Sequence, residues 1–233
     1  MSFQTNPELD LAHEFVRFTD RNVFLTGKAG TGKTTFLHNL KETLPKRMIV
    51  VAPTGVAAIN AGGVTIHSFF QLPFGPIFPG ATGGDDNKKH RFNRQKIDII
   101  RTLDLLVIDE VSMVRSDLLD GIDEVLRRYR KNQLPFGGVQ LLMIGDLQQL
   151  APVVRDDEWS LLRPYYDSAF FFGSRALKQT DYVSIELKQI FRQQDDSFIE
   201  VLNKIRDNRL DQKGLEILNQ CHRPGVFKND GEG

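Results

Sequence analysis

The stretch Gly27-Lys28-Ala29-Gly30-Thr31-Gly32-Lys33-Thr34 constrains this chain more than any other. It fits G-x-x-x-x-G-K-[ST], and it stands between an apolar strand-like run, Asn22–Thr26, and a stretch that reads as a helix over Lys33–Thr43. A glycine-rich turn in that position lets successive backbone N–H groups curl around phosphate oxygens, while the helix N-terminus adds its partial positive charge. Lys33 is then placed to reach the β- and γ-phosphates of a nucleotide, and the Thr34 hydroxyl to ligate Mg²⁺. The expected nucleotide cradle is Gly27, Ala29, Gly30, Thr31, Gly32, Lys33, Thr34 and Thr35. The bland alternative is a chance glycine-rich turn, which leaves the flanking strand and helix without a purpose.

Further apolar runs follow at Arg47–Ala52, Leu103–Asp109, Val139–Gly145 and Tyr182–Leu187. They are nearly continuous rather than alternating, which is the pattern of strands buried on both faces of a parallel sheet. Strand and helix in repetition argue for an α/β sheet with right-handed crossovers. The chain has 233 residues, 40% of them hydrophobic, so it can bury a core and is not globally disordered. That length suits one generous domain, or one domain and part of another. No apolar run approaches the roughly 18–20 residues of a membrane span. The N-terminal MSFQTNPELD lacks the basic and apolar regions of a signal peptide, so the expected protein is soluble, intracellular and not secreted. One cysteine, Cys221, cannot form an intramolecular disulfide, nor does it share zinc-site spacing with the five histidines. Basic and acidic residues balance at 30 each, which neither favours nor excludes nucleic acid, because a local basic groove suffices.

The strand–helix rhythm breaks between Leu72 and Gly84, where LPFGPIFPGATGG holds three prolines and four glycines. Lys88, Lys89, Arg91, Arg94 and Lys96 follow with no acid among them. The region reads either as an insertion forming a small exposed subdomain or as a long solvated loop.

Three further motifs carry chemistry. Leu105–Ile108 is an apolar strand ending in Asp109 and Glu110, at the sheet edge where ligands of open α/β folds bind. Asp109 is placed to hold the hydration shell of Mg²⁺, and Glu110 to orient or deprotonate an attacking water. An ordinary turn with a helix cap is the competing reading. Gly145-Asp146-Leu147-Gln148-Gln149-Leu150-Ala151-Pro152-Val153 puts amide side chains after another strand, where a glutamine can sense the γ-phosphate and couple it to a moving partner. Leu187-Lys188-Gln189-Ile190-Phe191-Arg192-Gln193 offers an arginine just beyond the last strand. It is either a surface residue or a finger for transferring phosphoryl charge.

Together these residues resemble superfamily-one helicases of the 5′-to-3′ branch, and within it the Pif (petite integration frequency) family. The resemblance rests on TGKAGTGKTT, on Ala52-Pro53-Thr54-Gly55-Val56-Ala57-Ala58, and on Thr65-Ile66-His67-Ser68-Phe69. It rests also on the stretch after Asp109-Glu110, namely Val111-Ser112-Met113, Ser116, Leu118-Leu119-Asp120 and a helix with Arg127 and Arg130, which resembles the family's signature and speaks against a RecD-like helicase. GDLQQLAPV and LKQIFRQ complete the order, over roughly residues 20–210.

The resemblance implies an α/β, RecA-like P-loop NTPase fold: a parallel sheet covered by helices on both faces, with a small inserted wedge-like subdomain. Residues 1–185 would form the first RecA-like motor domain, with the wedge-like segment at about 64–97. Residues 186–233 would begin a truncated second RecA-like domain, so the chain is expected to be a fragment of a longer helicase. ATP and Mg²⁺ would be the cofactors. Lys33, Thr34 and Asp109 would bind Mg·ATP, Glu110 would activate water, Gln149 rather than Gln148 would couple, and Arg192 would be the finger. Pro53, Thr54, Gly55, His67 and Phe69 would lie along single-stranded DNA, with forked or otherwise structured DNA as the wider partner. On sequence alone, a histidine and a phenylalanine in this setting, His67 and Phe69, are more often ordinary packing residues. The cluster Arg127-Arg128-Tyr129-Arg130-Lys131 is open between a functional patch and a solvated helix end.

The implied activity is ATP hydrolysis coupled to 5′-to-3′ translocation and to unwinding of duplex or G-quadruplex DNA, in repair, recombination and telomere maintenance. The alternative is a nucleotide-dependent single-stranded DNA-binding module that does not unwind. A monomer is expected, in the cytoplasm or nucleoid of a bacterium, or in the nucleus or mitochondria of a eukaryote. Glu8–Arg21 holds no glutamine of the kind that reads adenine in the family, and only Gln4 stands near.

Overall fold

Each apolar run read as a strand lies in one sheet of the computed structural model, which describes residues 6–80, 92–189 and 196–220. The strands are β1 (Asn22–Gly27), β2 (Met48–Ala52), β3 (Val64–Thr65), β4 (Leu105–Ile108), β5 (Gln140–Gly145) and β6 (Tyr182–Leu187). They pair in parallel in the order β3-β2-β4-β5-β1-β6. β3 has two residues, too few to leave a pattern in the sequence.

The pleat sends alternate side chains of each strand into two separate cores. Leu105 and Val107 enter one core while Leu106 and Ile108 enter the other, and all four are fully buried. Val23 and Leu25 likewise oppose Phe24, and Leu142 and Ile144 oppose Leu141 and Met143. One core is closed by α1 (Pro7–Phe18) and α2 (Lys33–Thr43), through Ala12, Val16, Phe36, Leu37 and Leu40. The other is closed by α5 (Arg94–Thr102) and α6 (Ser116–Arg130), through Ile100, Leu118, Leu119, Ile122 and Leu126. Burial of each such side chain contributes on the order of 1.5–3 kcal/mol. The two-sided covering expected of the sheet is what forms.

The connections hold α3 (Gly55–Asn60), α4 (Ile66–Phe70) and α7 (Asp156–Leu162). The segment expected as an insertion, about 64–97, contains β3, α4, an irregular stretch over 71–80 and the start of α5. Lys88, Lys89 and Arg91 lie outside the described residues.

The basic end of α6 is built into the fold. The Arg130 guanidinium donates to the carbonyls of Ile100, Arg101 and Leu103, each at 2.9 Å, and to Gly137 O at 2.8 Å. It thereby supplies the hydrogen bonds that the C-terminal end of α5 lacks. Arg127 bonds Asp123 (2.9 Å) and Gln133 O (2.6 Å). These two arginines are structural ties rather than a solvated end.

The chain divides into two compact units, Met1–Ile190 and Phe191–Gly233. β6 pairs with β1 through its last residue, Leu187, and so belongs wholly to the first unit. In the second unit, α8 (Asp196–Arg206) precedes α9 (Gln212–Gln220), and Lys204 pairs with Glu200 (2.8 Å) and Asp211 (2.9 Å).

Candidate functional site

The turn between β1 and α2 is closed by contacts that only small residues permit. At Gly27 (φ 154°) an added Cβ would stand 2.8 Å from Leu187 O and from Thr31 Oγ1. Gly32, the residue capping α2, has φ 92°, in the left-handed region that favours glycine. The buried Thr31 donates its hydroxyl to Lys28 O at 2.8 Å and so braces the turn from inside. Lys33 lays its ammonium over the loop, donating to Gly27 O and, at 3.0 Å, to Lys28 O. Thr34 and Thr35 are exposed in the first turn of α2, which carries no acid, and Ala29 is exposed at the turn itself. A helix start without acids, beneath a lysine, suits an anion.

β4 ends beside this loop. Asp109 N donates to Val51 O at 2.9 Å, extending the ladder with β2 one residue further. Glu110 then turns sharply, at φ 50° and ψ 44°, a conformation that a non-glycine residue adopts only at a cost. Burial pushes the Asp109 carboxyl above its ordinary pKa, against the pull of the Glu110 backbone N–H and of the nearby Lys33 ammonium. Glu110 is raised by burial first and then by repulsion from Asp109 and Asp146, with Lys33 opposing. Three carboxylates and one ammonium thus share a poorly solvated edge, and that excess of negative charge fits a divalent cation. Among the described residues no group of three His, Cys, Asp or Glu side chains is arranged to enclose a metal. Mg²⁺ takes one or two protein oxygens and completes its shell with phosphate and water. Thr34 and Asp109 would hold it.

Asp146 carries no role from sequence reasoning, yet it organises the third motif. It is buried at the end of β5, accepts from Gln148 N (3.1 Å), and receives the side-chain amide of Gln149 (3.1 Å). An added Cβ at the preceding Gly145 would stand 3.0 Å from Val111 Cγ1, so the turns after β4 and β5 pack directly together. The signal available in the sequence was an acid one residue past a strand end, next to the strand bearing Asp109 and Glu110.

A second group of residues gathers at the same edge. Ala52 of β2 pairs with Thr65 of β3, so Thr54 and His67 each stand two residues beyond a paired position. Thr54 Oγ1 caps α3, accepting from Ala57 N at 3.2 Å, and Thr65 Oγ1 caps α4, accepting from Ser68 N at 3.3 Å. Pro53 and Thr54 are half-buried, and Gly55 is exposed with open space where a side chain would stand. His67 stacks on Phe74, ring centroids 4.6 Å apart and planes 18° from parallel. Burial depresses the His67 pKa, the Arg115 guanidinium depresses it further, and Asp117 opposes both.

Phe69 departs from its expected disposition. It is buried in the core, edge-on to Phe70 at 4.9 Å, with the Lys96 ammonium 5.0 Å from its ring centre. The period of α4 turns it inward, so it offers no open face for stacking. Arg192 and Gln4 lie outside the described residues.

A parallel sheet with a glycine-rich phosphate cradle after β1 and paired acids after β4 defines a RecA-like P-loop nucleotide hydrolase fold. The model of the PIF1-like helicase family matches residues 10–215, and the chain belongs to that family. It is 37% identical over 212 residues to the ATP-dependent DNA helicase PIF1 of Saccharomyces cerevisiae, covering 87% of this chain and 23% of the yeast protein. It is 32% identical to ATP-dependent DNA helicase Pif1 of Bdellovibrio bacteriovorus, covering 93% of this chain and 46% of that one. Among solved structures it resembles the Bacteroides Pif1 helicase in complex with ADP-AlF3 and single-stranded DNA, with a TM-score of 0.88 and 43% identity. That match covers 99% of this chain and 52% of the other. The chain thus spans 23% to 52% of the length of these relatives.

Proposed function

We propose that this chain is the ATP-hydrolysing motor domain of a DNA helicase, with ATP at the β1–α2 loop and single-stranded DNA across the ends of β2 and β3. One observation carries the reading. The Lys33 loop and the Asp109–Glu110 pair lie at the same sheet edge as Thr54 and His67, so a change at the γ-phosphate has a short path to a strand-binding surface. The similarity to relatives solved with ADP-AlF3 and with single-stranded DNA supports both ligands.

In this reading the Gly27–Gly32 turn and Lys33 hold the phosphates. Thr34 and Asp109 would hold Mg²⁺, which would supply charge neutralisation at the phosphoryl group being transferred. Glu110 orients the attacking water and takes its proton. Gln149, tethered to Asp146, reports the state of the γ-phosphate, and Arg192 is the finger that stabilises transferring charge. Pro53, Thr54, Gly55 and His67 track the strand. The first unit is the first RecA-like motor domain, with 64–97 as its wedge-like insertion, and Phe191–Gly233 belongs to the second. Coupled 5′-to-3′ translocation, unwinding of forked or structured DNA, and action as a monomer are assigned to the whole protein. No helix among the described residues is long and apolar enough to cross a membrane. Placement in the bacterial cytoplasm and nucleoid, or in the eukaryotic nucleus and mitochondria, follows from work on DNA.

A second reading is a nucleotide-dependent DNA-binding module without unwinding activity. Steady-state ATP hydrolysis with and without single-stranded DNA separates the two. Strong stimulation supports the motor, binding without turnover supports the module, and turnover indifferent to DNA refutes the strand-facing assignment.

A further inference from the structure

We propose that Phe74 is a stacking platform for an unpaired nucleobase, and that Arg115 and Asp117 position it. The inference rests on the reading that the β2–β3 edge faces single-stranded DNA.

Phe74 is 84% exposed, yet one ring face lies flat on His67. An exposed aromatic on a glycine- and proline-rich stretch ordinarily samples many orientations, and leaving it in water forfeits apolar burial. Here the backbone on its C-terminal side is pinned. Gly75 O accepts from Arg115 Nη2 at 2.9 Å, and Ile77 N donates to Asp117 Oδ2 at 2.9 Å. Buried Leu72 and Ile77 anchor the stretch on either side. The fork of Arg115 grips the Asp117 carboxylate through Nε at 2.9 Å and Nη2 at 2.7 Å. The Asp117 side chain is fully buried and that of Arg115 is 12% exposed. A buried ion pair adds little net stability over an apolar pair of similar volume. Its use here is geometric, since both partners spend hydrogen bonds on the main chain just after Phe74.

The ring beneath is suited to stacking. Burial and then Arg115 lower the His67 pKa against the pull of Asp117, which favours the uncharged ring under Phe74. It stands level with Thr54, whose neighbouring backbone at Gly55 is open to a phosphate. Phe69, the aromatic expected to meet a base, is buried, whereas Phe74 offers its free face to solvent. The ligand class is a nucleobase of any identity, because every base has a π face and stacking is sequence-tolerant.

The test is equilibrium binding of a fluorescent oligothymidine to the 233-residue chain across a salt series. Phe74→Ala should weaken binding roughly 5- to 150-fold, the loss of one aromatic–base stack, with an unchanged slope of log affinity against log salt and an unchanged melting temperature. Phe74→Trp should restore affinity, with its fluorescence quenched by the oligonucleotide above the background of Trp159. Arg115→Lys keeps the charge but loses the fork. It should weaken binding in the wild-type background and have no further effect in Phe74→Ala, whereas a merely structural Arg115 would give the same loss in both. Wild-type binding that Phe74→Ala leaves unchanged, or a shallower salt slope in that variant, overturns this inference alone. A wild-type chain that binds no oligonucleotide overturns the strand-facing reading and this inference with it.

Discussion

The side-chain amide of Gln149 donates to the carboxylate of Asp146 at 3.1 Å, on a turn packed against the segment that follows Glu110. The glutamine is therefore held within reach of the nucleotide edge by an acid that also caps its own turn. Gln149→Ala should keep ATP binding and lose most of the rise in turnover that single-stranded DNA produces. Asp146→Asn leaves the tether a neutral acceptor and should give a milder loss. Turnover measured against DNA concentration checks both, and full stimulation in Gln149→Ala removes it from the coupling path.

Lys33 lies on two carbonyls of its own loop, Gly27 O and Lys28 O. Lys33→Ala should abolish ATP turnover while the nucleotide-free protein still melts in one cooperative transition. Hydrolysis at the wild-type rate in this variant would remove the loop from the reaction.

Glu110→Gln separates chemistry from binding. The amide keeps the shape but cannot take a proton, so turnover should fall by about 10²–10⁴ while ATP affinity is retained. Stability should move the other way. Burial and two neighbouring acids raise the native pKa of Glu110 above its unfolded value, so the native state holds that proton more tightly. The resulting stability is present at low pH and is lost as pH rises through the raised native pKa. At neutral pH the charge is a net cost, and the neutral amide removes it. Melting without nucleotide or metal should therefore occur at a higher temperature in Glu110→Gln than in wild type at pH 7, with the gap closing below the pKa of a free carboxylate.

Arg130→Ala should cost about 2–3 kcal/mol, because carbonyls of Ile100, Leu103 and Gly137 lose a charged donor in a partly buried setting. Urea unfolding gives the value. The salt dependence of DNA affinity should be unchanged, as this guanidinium is spent on the protein's own backbone. A flatter salt slope would return Arg130 to the strand-binding surface.

Much of this molecule is legible along the chain because its signals are local. The apolar runs at Leu105–Ile108 and Leu141–Ile144 announce strands buried on both faces, and they are. The spacing of Gly27, Gly32, Lys33 and Thr34 places a phosphate cradle without reference to anything distant, because a turn and a helix start are set by neighbouring residues. Asp109 and Glu110 are readable for the same reason, as the end of a strand.

What the tertiary structure decided are the partners across sequence distance. Whether Phe69 or Phe74 faces solvent depends on the direction α4 takes over a core assembled from β2, α5 and α6, and no local pattern encodes it. Asp146 gains its place because β5 lies beside β4, a choice made by sheet order. Arg130 stands open between two readings in the sequence and Arg115 carries no signal there, and only folding brings the carbonyls of Ile100 and Leu103 to one and Gly75 and Asp117 to the other. Backbone geometry and side-chain period are short-range properties that a sequence displays directly. The pairing of a buried charge with its acceptors is a long-range property, settled only when the packed core leaves each group a single place to find them.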